Sequence, residues 1–119
     1  TPSKVTLKHP KLTVVQGDST SFADVEKIVA GADVVVSCVG QPPRASKKII
    51  AQTTANVLQA HPKKIIIVSS LGLCGSSPMI RYILSLIAGG GNIRDYESAD
   101  ALVRDASCPW VCGGPRREV

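Results

Sequence analysis

At 119 residues and 12.5 kDa the chain has room for one domain. Hydrophobic residues make up 44% and charged residues 19%, which excludes a disordered chain. Aromatics are only 3% (Phe22, Tyr82, Tyr96 and Trp110), which argues against a module that stacks single-stranded bases on rings. The formal charge is +5, and between Asp33 and Asp95 there is no acid, while Arg44, Lys47, Lys48, Lys63, Lys64, Arg81 and Arg94 lie there. Solvated loop and helix charges are the first reading of that stretch, and a phosphate-bearing ligand is the second. Nucleic acid ranks last, because no basic helix or finger signature accompanies the charge.

The cysteines are Cys38, Cys74, Cys108 and Cys112, with no Cys-x-x-Cys pair and neither His9 nor His61 close to them in sequence. No metal site is expected; free thiols in a reducing, cytoplasmic compartment are. The first residues, Thr1 to Lys4, carry no apolar leader pattern. The longest strongly apolar helical run, Met79 to Ala88, contains Arg81 and falls short of the ~20 residues needed to span a bilayer.

In chain order, Thr1 to Pro10 is polar and reads as a loop, and the β-branched Leu12 to Gln16 reads as a strand ending at Gly17-Asp18. Ser21 is placed to cap a helix from Phe22, with Val25, Ile28 and Val29 at helical spacing and Gly31 as the stop. Val34 to Val39 is a continuous apolar run, the pattern of a strand covered on both faces, and it ends at Gly40. Ser46 to Ala60 is the next helix, with Ile49, Ile50, Thr53, Val57 and Leu58 facing inward, broken at His61-Pro62. Ile65 to Val68 is a second doubly covered strand, followed by Ser69-Ser70-Leu71-Gly72. A small-residue loop at 74–78 leads to a short apolar helix over 79–88, in which Tyr82 is expected to pack. Gly89-Gly90-Gly91 breaks the chain before a helix running from Asn92 or Ile93 to Ala106, with Ala99, Leu102 and Val103 inward and Asp95, Glu97, Asp100 and Asp105 on a solvated face. Pro109 to Cys112 is a last short strand, and 113–119 is a frayed tail.

Strands alternating with helices predict a single α/β domain over 1–119, a three-layer Rossmann-like parallel sheet with helices on both faces. In such sheets ligands bind beyond the carboxyl ends of the strands. Those ends are Gly17-Asp18-Ser19, Ser37-Cys38-Val39-Gly40 and Ser69-Ser70-Leu71-Gly72, all small and polar.

These segments resemble the atypical branch of the short-chain dehydrogenase/reductases, the NAD(P)-binding proteins similar to the NmrA-like regulators and flavin/biliverdin reductases. The resemblance runs over Leu12 to Asp18, Ala30 to Ser37, Ile65 to Gly72 and the helix-to-strand step at Ser107 to Val111. It implies that Asp18 and Ser19 touch the adenine end of a dinucleotide. Ser37, Cys38, Val39 and Gly40 would line the adenosine ribose and pyrophosphate. Ser69 and Ser70 would face the nicotinamide and a substrate carbonyl, with Ser70 hydrogen-bonding that carbonyl. Lys4, in the loop similar to the one after the family's second strand, would meet a ribose phosphate, which favours NADP (NADPH) over NAD. The implied parent activity is an NAD(P)H-dependent oxidoreductase or isomerase acting on a small carbonyl-type substrate; the alternative is a non-catalytic dinucleotide sensor or protein-interaction regulator.

The sequence departs from that family twice. Its opening strand and Gly-x-x-Gly-x-x-Gly turn, whose glycines bring backbone to the pyrophosphate at a helix N-terminus, have no counterpart. The domain is therefore expected to lack the first β-α-β segment and to bind cofactor poorly by itself, with the Leu12–Gln16 strand pairing directly with the Val35 strand. The Tyr-x-x-x-Lys pair is also missing: Leu86 lies four residues after Tyr82, and Asp100 four after Tyr96, where a negative charge opposes loss of a phenolic proton.

Overall fold

The β-branched runs pair side by side as one parallel sheet. The computed structural model describes residues 2–43, 47–68 and 78–113. After a 3-10 turn at Pro2–Lys4, the elements are α1 (Phe22–Val29), β1 (Val35–Ser37), α2 (Ile49–Gln59), β2 (Ile65–Val68), α3 (Pro78–Ala88), α4 (Gly90–Arg104) and β3 (Trp110–Gly113). The sheet order is β1-β2-β3, with Val35 opposite Ile65 and Ile65 opposite Trp110. This is the parallel α/β, Rossmann-like arrangement that the alternating pattern predicts.

The core forms where one side of α1, α2 and α4 meets alternate strand residues. Val25 and Val29 of α1, Val57 of α2 and Val103 of α4 enclose Ile65 and Ile67 of β2, with Val35, Leu58, Ala60 and Cys108 packed around them. Each of the buried Val and Ile side chains contributes about 1.5–3 kcal/mol by leaving water. Successive strand residues point to opposite sides of the sheet, and the alternate positions are not covered to the same degree. Val36 is 57% exposed and Val68 49%. Among the described residues, the doubly covered strands expected from the apolar runs are thus covered on one face.

Local chemistry sets the element ends. Ser21 occupies the N-cap of α1 in extended backbone but makes no side-chain cap bond. Beyond α1 the chain turns through Gly31 at φ +81°, a conformation that a Cβ disfavours. Helix α2 stops at Ala60, followed by His61 at φ +51° and the helix-breaking Pro62. Its inward face is as expected: Ile50, Thr53 and Val57 are buried, and Ile49 and Leu58 half-buried. Helix α4 begins at Gly90, earlier than expected, because Gly89 at φ +85° serves as its N-cap. On that helix Leu102 is exposed rather than inward.

Two expectations are overturned. Leu12–Gln16 forms no strand and does not pair with β1; among the described residues β1 pairs with β2 alone. Val15 and β1 instead face a shared hollow, and without a neighbouring ladder the β-branched pattern at 12–16 has nothing to pair with. Tyr82 does not pack in α3 but is 65% exposed, together with Met79, Ile83, Leu86 and Ile87.

Ile65→Ala should therefore cost about 2–5 kcal/mol in urea unfolding, whereas Val68→Ala should stay within about 0.5 kcal/mol. Amides of residues 13–16, which make no ladder bonds, should exchange with deuterium as fast as a solvent-exposed loop.

Candidate functional site

Beside the free edge of β1 lies a hollow of about 270 Å³. Its walls combine Val15, Gly17, Asp18 and Ser19 from the loop before α1 with Val35 to Val39 from β1 and its exit. Val25, Ile28 and Val29 of α1 and Thr53 and Val57 of α2 close the apolar side. Asp18, Ser19, Ser37, Cys38 and Val39, from segments about twenty residues apart in sequence, thus line one cavity. Exposure of Ile28, which its helical spacing placed in the core, follows from this geometry, since it faces the hollow.

Gly17 and Asp18 are held by α1. The Asp18 N–H donates to Asp24 Oδ2 at 3.1 Å. A Cβ on Gly17 would come within 3.3 Å of the Asp24 Cβ, so glycine permits this close approach. Asp18 Oδ1 accepts the Thr20 N–H at 2.8 Å and the Thr20 hydroxyl at 2.7 Å, closing a tight turn. These hydrogen bonds to the ionised form, first from the Thr20 backbone and then from its hydroxyl, hold the carboxyl below the ordinary aspartate value, and the Lys47 charge adds to the effect. Asp18 is exposed, so its second oxygen can meet a donor from solution.

Ser19 is tied down from α2. Its hydroxyl accepts from Thr53 Oγ1 at 2.9 Å and its carbonyl from Asn56 Nδ2 at 3.1 Å. Thr53 and Asn56 are buried, so this polar side of α2 anchors the binding loop from below.

On the other wall Ser37 and Val39 are half-buried and Cys38 is an exposed free thiol. Gly40 is exposed and lines none of this hollow; a Cβ there would lie 3.9 Å from the Tyr96 hydroxyl. Lys4 is exposed in the N-terminal turn, and its neighbours Pro2 and Val5 line a second hollow with Val14, Val15, Gln16 and Gly17. Ser69 and Ser70 lie outside the described residues.

The acidic helix holds the largest surprise. Asp95, expected on a solvated face, is fully buried. Its Oδ2 accepts the Ile50 N–H at 3.0 Å and its Oδ1 the Ala51 N–H at 2.9 Å, both at the start of α2. Gln41 Nε2 donates to Asp95 Oδ2 at 3.0 Å and to Asn92 Oδ1 at 2.9 Å, and Asn92 Nδ2 donates to the Pro42 carbonyl at 2.9 Å. The signal was present: Asn92, Asp95, Ala99 and Val103 follow the three-and-four spacing of one helix face. Asp100, by contrast, pairs with Arg104 at 3.1 Å on the surface. No cluster of metal-ligating side chains and no helix long and apolar enough to cross a membrane occurs among the described residues.

A parallel sheet with a hollow and small polar loops at its strand ends is the arrangement in which open α/β domains bind their ligands. A family profile described as NAD(P)H-binding matches residues 1–116, and the chain belongs to that family. A search of curated proteins finds no match.

The turn around Asp18 is open to titration. Its carboxyl should titrate below the ordinary aspartate value in carbon-detected NMR, and Thr20→Val should move it up toward that value by removing one of the hydrogen bonds that favour the charged form.

Proposed function

We propose that this chain supplies the adenosine half of an NADPH site in an NAD(P)H-dependent oxidoreductase or isomerase of atypical short-chain dehydrogenase/reductase type. The observation that carries the reading is the meeting of Asp18-Ser19 with Ser37-Cys38-Val39 around one apolar-walled hollow. An adenine ring suits such walls, and its exocyclic amine suits the charged Asp18 carboxylate. Val35, Val36 and Ile28 line the hollow and would offer the ring an apolar surface, while Ser37 in its wall and Gly40 outside it would face the ribose side. Lys4 belongs to the neighbouring turn, where its ammonium would meet a 2′-phosphate and favour NADPH. When bound, the nicotinamide supplies hydride transfer, and the protein supplies position and electrostatics.

In this reading Ser69 and Ser70 serve the nicotinamide end, with Ser70 hydrogen-bonding a small carbonyl substrate. The pyrophosphate would be held by a glycine-rich turn lying along the free edge of β1, so that the 119 residues alone bind weakly. The free Cys38 and Cys108 thiols suit a cytoplasmic, reducing setting.

A non-catalytic sensor of dinucleotide is the second reading. It is favoured by Tyr82 standing exposed on α3 and by the place four residues after Tyr96 being held by Asp100, engaged with Arg104, where a proton-donating tyrosine would need a cation.

Titration of ¹⁵N-labelled protein with NADPH should shift the amides of residues 17–19 and 37–40, with dissociation in the high micromolar to millimolar range. Asp18→Asn should weaken binding about tenfold, the worth of one charge-assisted hydrogen bond. Lys4→Ala should remove any preference over NADH. Absence of shifts at millimolar NADPH would overturn the proposal, and NADPH-dependent reduction of small carbonyls by the protein would decide against the sensor reading.

A further inference from the structure

The loop leaving β1 is fastened to α4 more firmly than a surface connection requires. Asn92 holds the Pro42 carbonyl, and Asn92 and Asp95 share the Gln41 amide. Asp95 also takes the Ile50 and Ala51 N–H groups in the first turn of α2. Helix α2 has Lys48 at its N-cap and no side-chain cap of its own, so a residue of another helix performs that task. Two consequences follow. The N-terminus of α2 already has its negative partner and is not open to a phosphate, unlike helix ends that serve as anion sites. And α4 is held in rotation about its axis, because Asn92 bonds to the loop and Asp95 to both the loop and α2.

Tyr96 comes directly after Asp95 on that locked helix. Its side chain is half-buried, and its hydroxyl makes no hydrogen bond among the described residues. The hydroxyl lies beside the loop leaving β1, 3.9 Å from a Cβ built on Gly40, which is ordinary van der Waals distance. A half-buried phenol normally finds a partner for its O–H. Here it stands beside Gly40, three residues beyond the carboxyl end of β1, in the region where ligands of parallel sheets lie.

We propose that the Tyr96 hydroxyl is a further ligand-contacting group of this site. It hydrogen-bonds a ribose or phosphate oxygen of the bound dinucleotide at Gly40, with Asp95 and Asn92 as positioning residues that hold α4 in register with the loop. The inference rests on the dinucleotide reading of the hollow. It assigns a neutral donor on α4, rather than the N-terminus of α2, to the part of the ligand that passes Gly40.

The test is the NADPH titration applied to Tyr96→Phe, which removes one oxygen and no packing volume. Affinity should fall about three- to tenfold, the worth of a neutral hydrogen bond, with an unchanged thermal midpoint. In Asp95→Asn the amides of residues 50 and 51 should lose exchange protection and affinity should fall; the further effect of Tyr96→Phe should shrink in that background, a coupling that a purely structural role for Asp95 would not produce. Gly40→Val should block the same place and weaken binding at constant stability. Wild-type affinity in Tyr96→Phe, or additive effects of the two substitutions, would overturn the inference while leaving the dinucleotide reading standing. Absence of NADPH binding by the wild-type chain would overturn both.

Discussion

One buried carboxylate organises the half of the molecule that faces a ligand. Asp95 sits inside the protein with the N-terminal N–H groups of α2 and the Gln41 amide around it. Removing a carboxylate from water is unfavourable unless donors surround it, and three donors converge here. The result joins α4, α2 and the loop after β1, elements far apart in sequence. Its geometry carries one residual cost: Gln41 Oε1 is buried without a hydrogen-bond partner, because the amide is oriented to present its N–H groups to Asn92 and Asp95.

The other half of the ligand face depends on α2 again. Thr53 and Asn56 reach the Ser19 hydroxyl and carbonyl, and Asp24 at the start of α1 reaches the Asp18 N–H. Helix α2 therefore receives order from α4 at one end and passes it to the Gly17–Ser19 loop along its side. The Gly17–Ser19 wall of the hollow is held by side chains on α1 and α2 as well as by its own Asp18–Thr20 turn. That arrangement preorganises this wall even though Val15 and its neighbours have no strand ladder.

The free edge of β1 explains most of what is unusual. Parallel strands are stable when neighbours pair with them and helices cover both faces. Here β1 is three residues long and pairs on one side, and Val36 stands exposed. The segment Leu12–Gln16 has strand composition but no partner, and the hollow occupies the space beside β1. The same gap that leaves the sheet unfinished provides the concave apolar wall of the candidate site.

Periodicity made the helices, β1, β2 and β3 legible, because burial of one face imposes spacings of three and four on helices and continuous β-branched runs on inner strands. Asp18, Ser19 and the Ser37–Val39 exit were legible as strand-end residues of small size. Strand pairing at Leu12–Gln16 was not, because a ladder depends on what lies alongside and composition carries no record of its partner. Asp95 looked like a surface acid, since a carboxylate in a helix is solvated unless distant donors gather around it. Alternation, hydrophobic spacing and turn residues by themselves determined a parallel α/β chain with ligand chemistry at its strand ends. Only the tertiary structure decided which polar groups were buried, which strand edge stayed open and that Tyr96 meets Gly40, because each depends on contacts between residues tens of positions apart.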